Sequence, residues 1–148
     1  MRTVKDILRT KGRDVWCVGP DDTVYDALTF MAEKNIGAVL VMEDGRLVGI
    51  LSERDYARKV DLLGKRATDT PVKEIMTERV VGVNLGETVE ECMALMTDKH
   101  VRHLPVLEGD RVIGVVSIGD VVKSIISEKQ FIIEQLEHYI TGSSYKRT

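Results

Sequence analysis

Apolar residues recur at positions i, i+3, i+4 and i+7 in two stretches of the chain, which is the spacing of an amphipathic helix. Each stretch opens on a Thr that is followed three residues later by Asp or Glu, a capping box that marks a helix start. The pattern therefore predicts one helix after Thr23 and another after Thr88. The apolar positions are Val24, Ala27, Leu28 and Met31 in the first stretch, and Val89, Cys92, Met93 and Met96 in the second.

Each predicted helix is followed by two apolar runs with a short polar turn between them, which predicts a β-hairpin. Shorter apolar runs at 15–18 and 80–83 predict one further strand before each helix, and a second helix follows Ser52 and Ser117. Because the hairpin runs are apolar on both faces, we expect sheets that are covered on both sides. The hairpin runs are 36–42 with 46–51, and 101–107 with 111–116.

The two halves of the chain are copies of one another. Residues 15–57 align with residues 80–122 at an offset of 65 without a gap, and 12 of the 43 aligned positions are identical, where chance would give about three. Two copies with so long a period predict a folded pair and not an extended array. We expect two small halves that complete each other's core. The predicted boundaries are 1–68 for the first repeat, 69–128 for the second, and 129–148 for a C-terminal helix with a flexible tail.

Composition and charge exclude several classes of partner. The net charge of −3 with mixed signs gives no electrostatic footprint for nucleic acid or for an anionic membrane surface. The first seven residues are too charged for a signal peptide, and no apolar run is long enough to cross a bilayer, so we expect a cytoplasmic protein. Cys17 and Cys92 do not match in the repeat, and we expect both to be small buried hydrophobic residues.

Each copy ends on Gly-x-x-Ser-x-x-Asp, where a buried strand runs into a helix start: Ser52 and Asp55 in the first, Ser117 and Asp120 in the second. One interpretation is a capping box and nothing more. The other is a nucleotide site, because a helix N-terminus favours phosphate and an ionised Asp accepts hydrogen bonds from the ribose diol. On this second interpretation the Gly lets a flat group approach the strand backbone. Both interpretations remain open from these residues.

The doubled motif, together with Ile75-Met76-Thr77 and Val101-Arg102-His103-Leu104-Pro105-Val106, resembles a tandem pair of CBS domains, the Bateman module. The resemblance covers roughly residues 1 to 128, and the whole chain is similar to small stand-alone bacterial CBS-pair proteins. It implies an α+β fold of two β-α-β-β-α repeats packed sheet to sheet about a pseudo-twofold axis, plus a C-terminal helix. Two clefts then lie between the repeats.

The resemblance also implies a ligand that contains adenosine: AMP, ADP, ATP, NAD(H) or S-adenosylmethionine. Asp55 and Asp120 would hold the ribose hydroxyls, and Ser52 and Ser117 would contact ribose or phosphate. The first strand of each repeat would line the cleft of the other repeat's Asp. The candidate wall residues are Val80 for the Asp55 cleft and Val15 with Cys17 for the Asp120 cleft; Ile36, Gly37 and Ala38 are further ligand-binding candidates.

The two clefts differ in charge. Arg102 and His103 stand where the first repeat has Gly37 and Ala38, and they match a basic pair that reaches phosphate in members of the family. Arg54 and Arg58 lie at a helix start, where they either meet an anionic ligand or form ordinary solvated surface. We expect unequal affinities, with phosphate-rich ligands drawn to the more basic cleft.

Other chemistry finds little support in the sequence. His100 and His103 lack the companion ligands of a metal site, so no metal is expected. No repeated base accompanies either Ser, so we do not expect an enzyme. Two functions stay open: a nucleotide-sensing module that signals to a partner protein in trans, or a ligand-free structural or protein-interaction module. The apolar stripe of the last helix, from Val122 to Ile140, packs either on a second subunit, giving a homodimer, or on its own chain.

Overall fold

The computed structural model describes residues 2–141, and both repeats contain the predicted helix and hairpin. A π-helical turn over Ala57–Asp61 continues the short third helix, and two 3-10 turns, Ala67–Asp69 and Val72–Glu74, lead into the second repeat. The helices and strands are α1 (Val4–Lys11), β1 (Cys17–Val18), α2 (Val24–Lys34), β2 (Ala38–Glu43), β3 (Arg46–Ser52), α3 (Glu53–Tyr56), α4 (Val89–Lys99), β4 (His103–Glu108), β5 (Arg111–Ser117) and α5 (Ile118–Thr141).

Both predicted helix starts are capped by their Thr. The Asp26 N–H donates to Thr23 Oγ1 at 3.1 Å. At the second start the Glu91 N–H donates to Thr88 Oγ1 at 3.0 Å, and the Thr88 N–H donates to Glu91 Oε1 at 3.3 Å. Each cap satisfies a backbone donor that the first helical turn leaves unpaired.

The two sheets differ by one strand. The first sheet has the order β1-β2-β3, with β1 parallel to β2, whereas the second consists of β4 and β5. A full strand over 80–83 was a wrong prediction, because only Val83 forms a bridge, to Val106. In the first repeat the Leu40 N–H donates to Trp16 O across the parallel pair. The equivalent of Leu40 is Pro105, which has no N–H, so this bond cannot form in the second repeat.

The two hydrophobic cores exchange their entrance segments. Val4, Ile7 and Leu8 of α1 are buried in the core of the second repeat, among residues of α4, β4 and β5. Val72 and Ile75, which precede the second repeat, are buried in the core of the first. The two halves therefore interlock, and neither core is complete without chain from the other half. Whether 1–68 and 69–128 act as units stays a prediction.

The last helix, α5, runs from Ile118 to Thr141 without a break. It therefore crosses the predicted boundary between the second repeat and the C-terminal helix, after residue 128. Its first turns pack against α1, α4 and β5, but from Ser127 onward its side chains are almost all exposed. It therefore does not fold back along the body over residues 127–140. The predicted flexible tail at 142–148 lies outside the described residues. Within residues 2–141, none of the helices has both the length and the apolar character that spanning a membrane requires.

Candidate functional site

The first Ser-x-x-Asp corner joins β3 to α3 as a capping box. The Asp55 N–H donates to Ser52 Oγ at 3.1 Å, and the Ser52 N–H donates to Asp55 Oδ2 at 3.0 Å. The second carboxylate oxygen, Oδ1, faces two donors from elsewhere: Lys59 Nζ lies 3.2 Å away and Thr77 Oγ1 lies 3.4 Å away. One oxygen of Asp55 thus caps the helix start, while the other contacts Lys59 and Thr77 at the edge of a cavity.

The second corner, at the junction of β5 and α5, has the same capping box and one additional cation. The Ser117 N–H donates to Asp120 Oδ2 at 2.8 Å, and the Asp120 N–H donates to Ser117 Oγ at 3.2 Å. Lys11, the last residue of α1, donates from Nζ to the same Oδ2 at 2.7 Å and to the Val115 carbonyl at 2.8 Å. Partial burial alone would raise the pKa of Asp120, but the hydrogen bonds from Lys11 and Ser117 outweigh it, so the pKa lies below its ordinary value.

A cavity of about 720 Å³, here called cavity 1, opens beside Asp55. Its walls come from both repeats. Five cationic side chains and two carboxylates line it, so its formal charge is +3 with His neutral. The lining residues are Gly37, Ile50, Ser52, Glu53, Arg54, Asp55, Arg58, Lys59, Thr77, Arg79, Val80, Val81, His100, Val101, Arg102 and His103.

A smaller cavity of about 480 Å³, here called cavity 2, opens beside Asp120. One cation, Lys11, and two carboxylates line it, so its formal charge is −1. Its remaining wall is largely apolar and includes Trp16. The lining residues are Lys11, Gly12, Asp14, Trp16, Asn35, Ile36, Gly37, Ala38, Leu40, Ile50, His103, Val115, Ser117, Ile118, Gly119 and Asp120.

Three residues, Gly37, Ile50 and His103, belong to the walls of both cavities. A Cβ at Gly37 would lie 3.7 Å from the Cε1 and Nε2 atoms of the His103 ring, so the imidazole packs over the glycine backbone. Burial lowers the pKa of His103, the positive charges of Lys11 and Arg102 lower it further, and Asp120 acts in the opposite direction. Since the net effect is a lowered pKa, His103 is neutral at pH 7.

The structure places most of the sequence-predicted residues on these walls. Ser52, Arg54, Asp55, Arg58, Val80 and Arg102 line cavity 1, and Ile36, Ala38, Ser117 and Asp120 line cavity 2, with Gly37 and His103 shared. Arg102 thus lies on the cavity of the Asp55 corner and not on that of the Asp120 corner of its own repeat. His103 lies on both cavities.

Val15 and Cys17 are not on the wall of cavity 2; Trp16 is. Cys17 is exposed, whereas Trp16 lines the cavity and its ring contacts Phe30 and Lys34 of α2. The expectation that both cysteines are buried is therefore wrong for Cys17. It holds for Cys92, whose burial raises the pKa of its thiol to about 11.

The two motif glycines admit protein side chains and not a ligand. A Cβ at Gly49 would lie 2.6 Å from Met76 Sδ, and a Cβ at Gly114 would lie 3.0 Å from the methyl carbons of Leu8. Neither glycine lines a cavity. The prediction that Gly49 and Gly114 open the strand to a flat ligand was wrong. Each glycine instead makes room for the exchanged entrance segment.

Lys11, Lys59, Thr77 and Arg79 line the cavities although sequence reasoning missed them. A signal was present for two of them. The entrance segments 4–8 and 72–76 match at an offset of 68, and the same offset relates Lys11 to Arg79. Extending that match by three residues would have drawn attention to both cations.

No group of three or more His, Cys, Asp or Glu side chains is placed to hold a metal ion within the described residues. That the protein uses no metal stays a prediction. A neighbour in structure, Hypoxic Response Protein I, carries two coordinated zinc ions; it is 29% identical, with a TM-score of 0.68 over 84% of this chain and 99% of its own.

The family model of the CBS domain matches residues 4–61 and again residues 72–127. The chain belongs to the CBS-domain family. The mitochondrial CBS domain-containing protein CBSX3 of Arabidopsis thaliana is 40% identical over 150 residues, which cover 95% of this chain and 72% of that protein. The crystal structure of the CBS domain NE2398 is 57% identical, with a TM-score of 0.81 over 84% of this chain and 98% of its own. These matches confirm the predicted α+β pair of CBS repeats with a C-terminal helix.

One further CBS pair was crystallised with adenosine derivatives. The pair of protein MJ0100, in complex with 5'-methylthioadenosine and S-adenosyl-L-methionine, has a TM-score of 0.75 over 86% of this chain and 98% of its own. Its sequence identity of 24% carries the fold alone.

Proposed function

We propose that this CBS pair binds a phosphate-rich adenine nucleotide in cavity 1 and reports its occupancy to a partner protein in trans, without catalysing a reaction. The observation that carries the proposal is the contrast between the two cavities. Cavity 1 is the larger and has a formal charge of +3, whereas cavity 2 has a formal charge of −1. A volume of about 720 Å³ lies within the usual range for a ligand site, roughly 300 to 1,000 Å³.

The cations of cavity 1 favour phosphate over other anions. Arg54 and Arg58 come from the first repeat, and Arg79 and Arg102 from the second. Guanidinium groups bind phosphate through paired, charge-assisted hydrogen bonds. Clustered cations in a concave site also raise the local concentration of anions. ATP, ADP and NADH are therefore better candidates for cavity 1 than S-adenosylmethionine, whose sulfonium is cationic.

Asp55 supports the nucleoside part of the ligand. Its Oδ2 caps α3, and its Oδ1 faces Lys59 and, at the long distance of 3.4 Å, Thr77. Both donors end flexible or rotatable groups, so a ribose diol can replace them while the capping box stays intact. The capping and the ligand interpretations of this corner are then compatible.

Signalling follows from the two-sided wall. A ligand that contacts both repeats stabilises one relative arrangement of the repeats, and any partner that prefers that arrangement is coupled to the ligand reciprocally. Cavity 2, with its largely apolar wall and its formal charge of −1, suits an adenosyl group with little negative charge. The methylthioadenosine and S-adenosylmethionine held by MJ0100 are ligands of that kind.

Calorimetry on the full chain tests the proposal with ATP, ADP, AMP, NADH and S-adenosylmethionine as titrants. We expect ATP to bind, and Arg102→Ala to weaken it at least tenfold. Arg111→Ala is the matched control: Arg111 is exposed in the same repeat but lines neither cavity. Equal affinity of the two variants would contradict the assignment of cavity 1.

The ligand-free interaction module is the second candidate, and the observation in its favour is that both Ser-x-x-Asp corners are complete capping boxes. A ligand at 100 times its dissociation constant adds about 2.7 kcal/mol to stability. If none of the five titrants shifts the melting temperature, this second candidate is the better account.

We further propose that α5 pairs with α5 of a second copy to form a homodimer, and that the protein acts in the cytoplasm. Phe131, Leu136 and Ile140 are 60%, 56% and 80% exposed. Val122, Ile126, Ile133, Leu136 and Ile140 follow the three-and-four spacing of a coiled-coil seam, with Lys129 as its one polar position. An unpacked helical end is marginal in water, and pairing the seams buries it.

A further inference from the structure

His103 lies at the boundary of the two cavities, where the two repeats meet. The repeats align at an offset of 65, so Gly37 and Ala38 correspond to Arg102 and His103. The His103 ring packs over Gly37, with a Cβ position at Gly37 only 3.7 Å from two of its atoms. One repeat therefore supplies the large residue, and the other supplies the glycine that accommodates it.

Charged groups face His103 from both sides. On the cavity 2 side these are Lys11 at the end of α1 and Asp120 in α5, with Asp14 on the same wall. On the cavity 1 side these are Arg102, next to it in sequence, and Glu53 at the start of α3, whose Oε1 lies 3.3 Å from the Cβ position at Gly37. The remaining cations of cavity 1 lie on the same wall or across the cavity.

We infer that His103 couples the two cavities: an anionic ligand in cavity 1 draws a proton onto the imidazole, and the new positive charge is presented to cavity 2. This inference rests on the proposed binding of a phosphate-rich nucleotide in cavity 1. The free protein holds the imidazole neutral, because burial and the neighbouring cations disfavour its charged form. Phosphates in cavity 1 neutralise Arg102 and place their own negative charge beside the ring, which favours the charged form.

The sign of the coupling follows from the charges. A protonated His103 beside the Lys11–Asp120 pair makes cavity 2 more favourable for anionic ligands and less favourable for cationic ones. By linkage, an anion in cavity 2 tightens ATP binding in cavity 1 by the same factor. Because ATP raises the pKa of His103, ATP binding becomes tighter as the pH falls through the pKa of the complex, and it levels off below the pKa of the free protein.

Proton uptake during ATP binding tests this coupling. The full chain is titrated with ATP near pH 7 in PIPES and in Tris, whose ionisation enthalpies differ, and the protons taken up are read from the difference in heat. With each protein titrated to saturation, we expect net uptake by the unmodified chain and none attributable to the protein in His103→Gln, whose amide cannot gain a proton. His138→Gln is the matched control, because His138 is an exposed residue of α5 that lines neither cavity; it should retain the uptake.

Communication from cavity 2 has its own variant. Asp120→Asn keeps an oxygen acceptor for the capping box but removes a negative charge that raises the pKa of His103. Relative to His103→Gln, the unmodified chain should bind ATP at least threefold more tightly at pH 6 than at pH 8. In Asp120→Asn the pH range of proton uptake should move lower, so most of this gain in affinity at pH 6 should be lost.

The outcomes separate the two proposals. If ATP binds but His103→Gln takes up as many protons as the unmodified chain, or Asp120→Asn leaves the pH range unchanged, the coupling is overturned and the nucleotide site stands. If ATP produces no binding heat with any variant, both proposals fall.

Discussion

Lys11 and Asp120, which are 109 positions apart in the chain, form an ion pair with Nζ 2.7 Å from Oδ2. The pair joins the end of the exchanged helix α1 to the corner that begins α5. The same ammonium group also donates to the Val115 carbonyl at 2.8 Å. Lys11 therefore fixes the entrance segment onto the second repeat and at the same time occupies the polar corner of cavity 2.

Lys11→Met is expected to lower the free energy of unfolding by about 1 kcal/mol, because it leaves a mostly buried carboxylate without its cation. The loss in free energy of unfolding is small because Lys11 itself is 37% exposed and solvent screens part of the attraction. Urea unfolding measures the change. Lys5→Met, on the exposed face of the same helix, is the control; a similar loss there would show a general effect of charge on α1.

Stability should fall in acid partly through Asp120. Its pKa in the folded protein is lowered, so its contribution is present above the pKa of the unfolded chain and is lost as the pH falls through the lower, folded value. The loss begins below about pH 4, the ordinary range of an Asp. Urea unfolding at pH 7 and pH 3 measures it. Asp120→Asn should be less stable at pH 7 and show a smaller decrease; an equal decrease in both proteins would contradict this assignment.

Leu8→Ala tests the exchange of entrance segments. Leu8 is 2% exposed in the core of the second repeat, and its truncation should lower the free energy of unfolding by about 2 to 5 kcal/mol. Hydrogen exchange should show the loss of protection first in β4 and β5, although Leu8 belongs to the first repeat in sequence. Leu63→Ala, at a side chain that is 64% exposed, is the control. Loss of protection confined to β2 and β3 would refute the exchange.

Gly49→Ala and Gly114→Ala form a matched pair at the same position of the two repeats. A Cβ at Gly49 would lie 2.6 Å from Met76 Sδ and 3.1 Å from the Thr77 carbonyl, which is backbone. At Gly114 the nearest atoms, at 3.0 Å, are methyl carbons of Leu8. Gly49→Ala should therefore lower the free energy of unfolding by about 1 to 3 kcal/mol, and Gly114→Ala should lower it by less. Thermal unfolding of the two variants ranks them, and the reverse order would argue against the tight contact at Met76.

Pairing of α5 is tested by sedimentation equilibrium. Ile133→Lys places a charge in the middle of the exposed stripe and should convert a dimer into a monomer with little change in the fold, because Ile133 is 46% exposed. Lys123→Glu, on an exposed position of the packed part of α5, is the control. A dimer that survives Ile133→Lys would place the interface elsewhere.

Much of the local structure was readable from the chain because local interactions decide it. Thr23, Thr88, Ser52 and Ser117 cap helices wherever the rest of the protein lies, and the hairpins follow from apolar runs around short polar turns. The duplicated pattern then determined that there are two similar halves and where the two Ser-x-x-Asp corners stand.

Only the tertiary structure decided which side chains meet at those corners. Trp16 lines cavity 2 and Cys17 does not, which a strand of only two residues does not reveal in sequence. Lys11 meets Asp120, and Arg102 faces Asp55, because the entrance segments exchange and the repeats interlock. The charge of each cavity is a sum over segments far apart in the chain, so it is a property of the packed pair and not of either repeat.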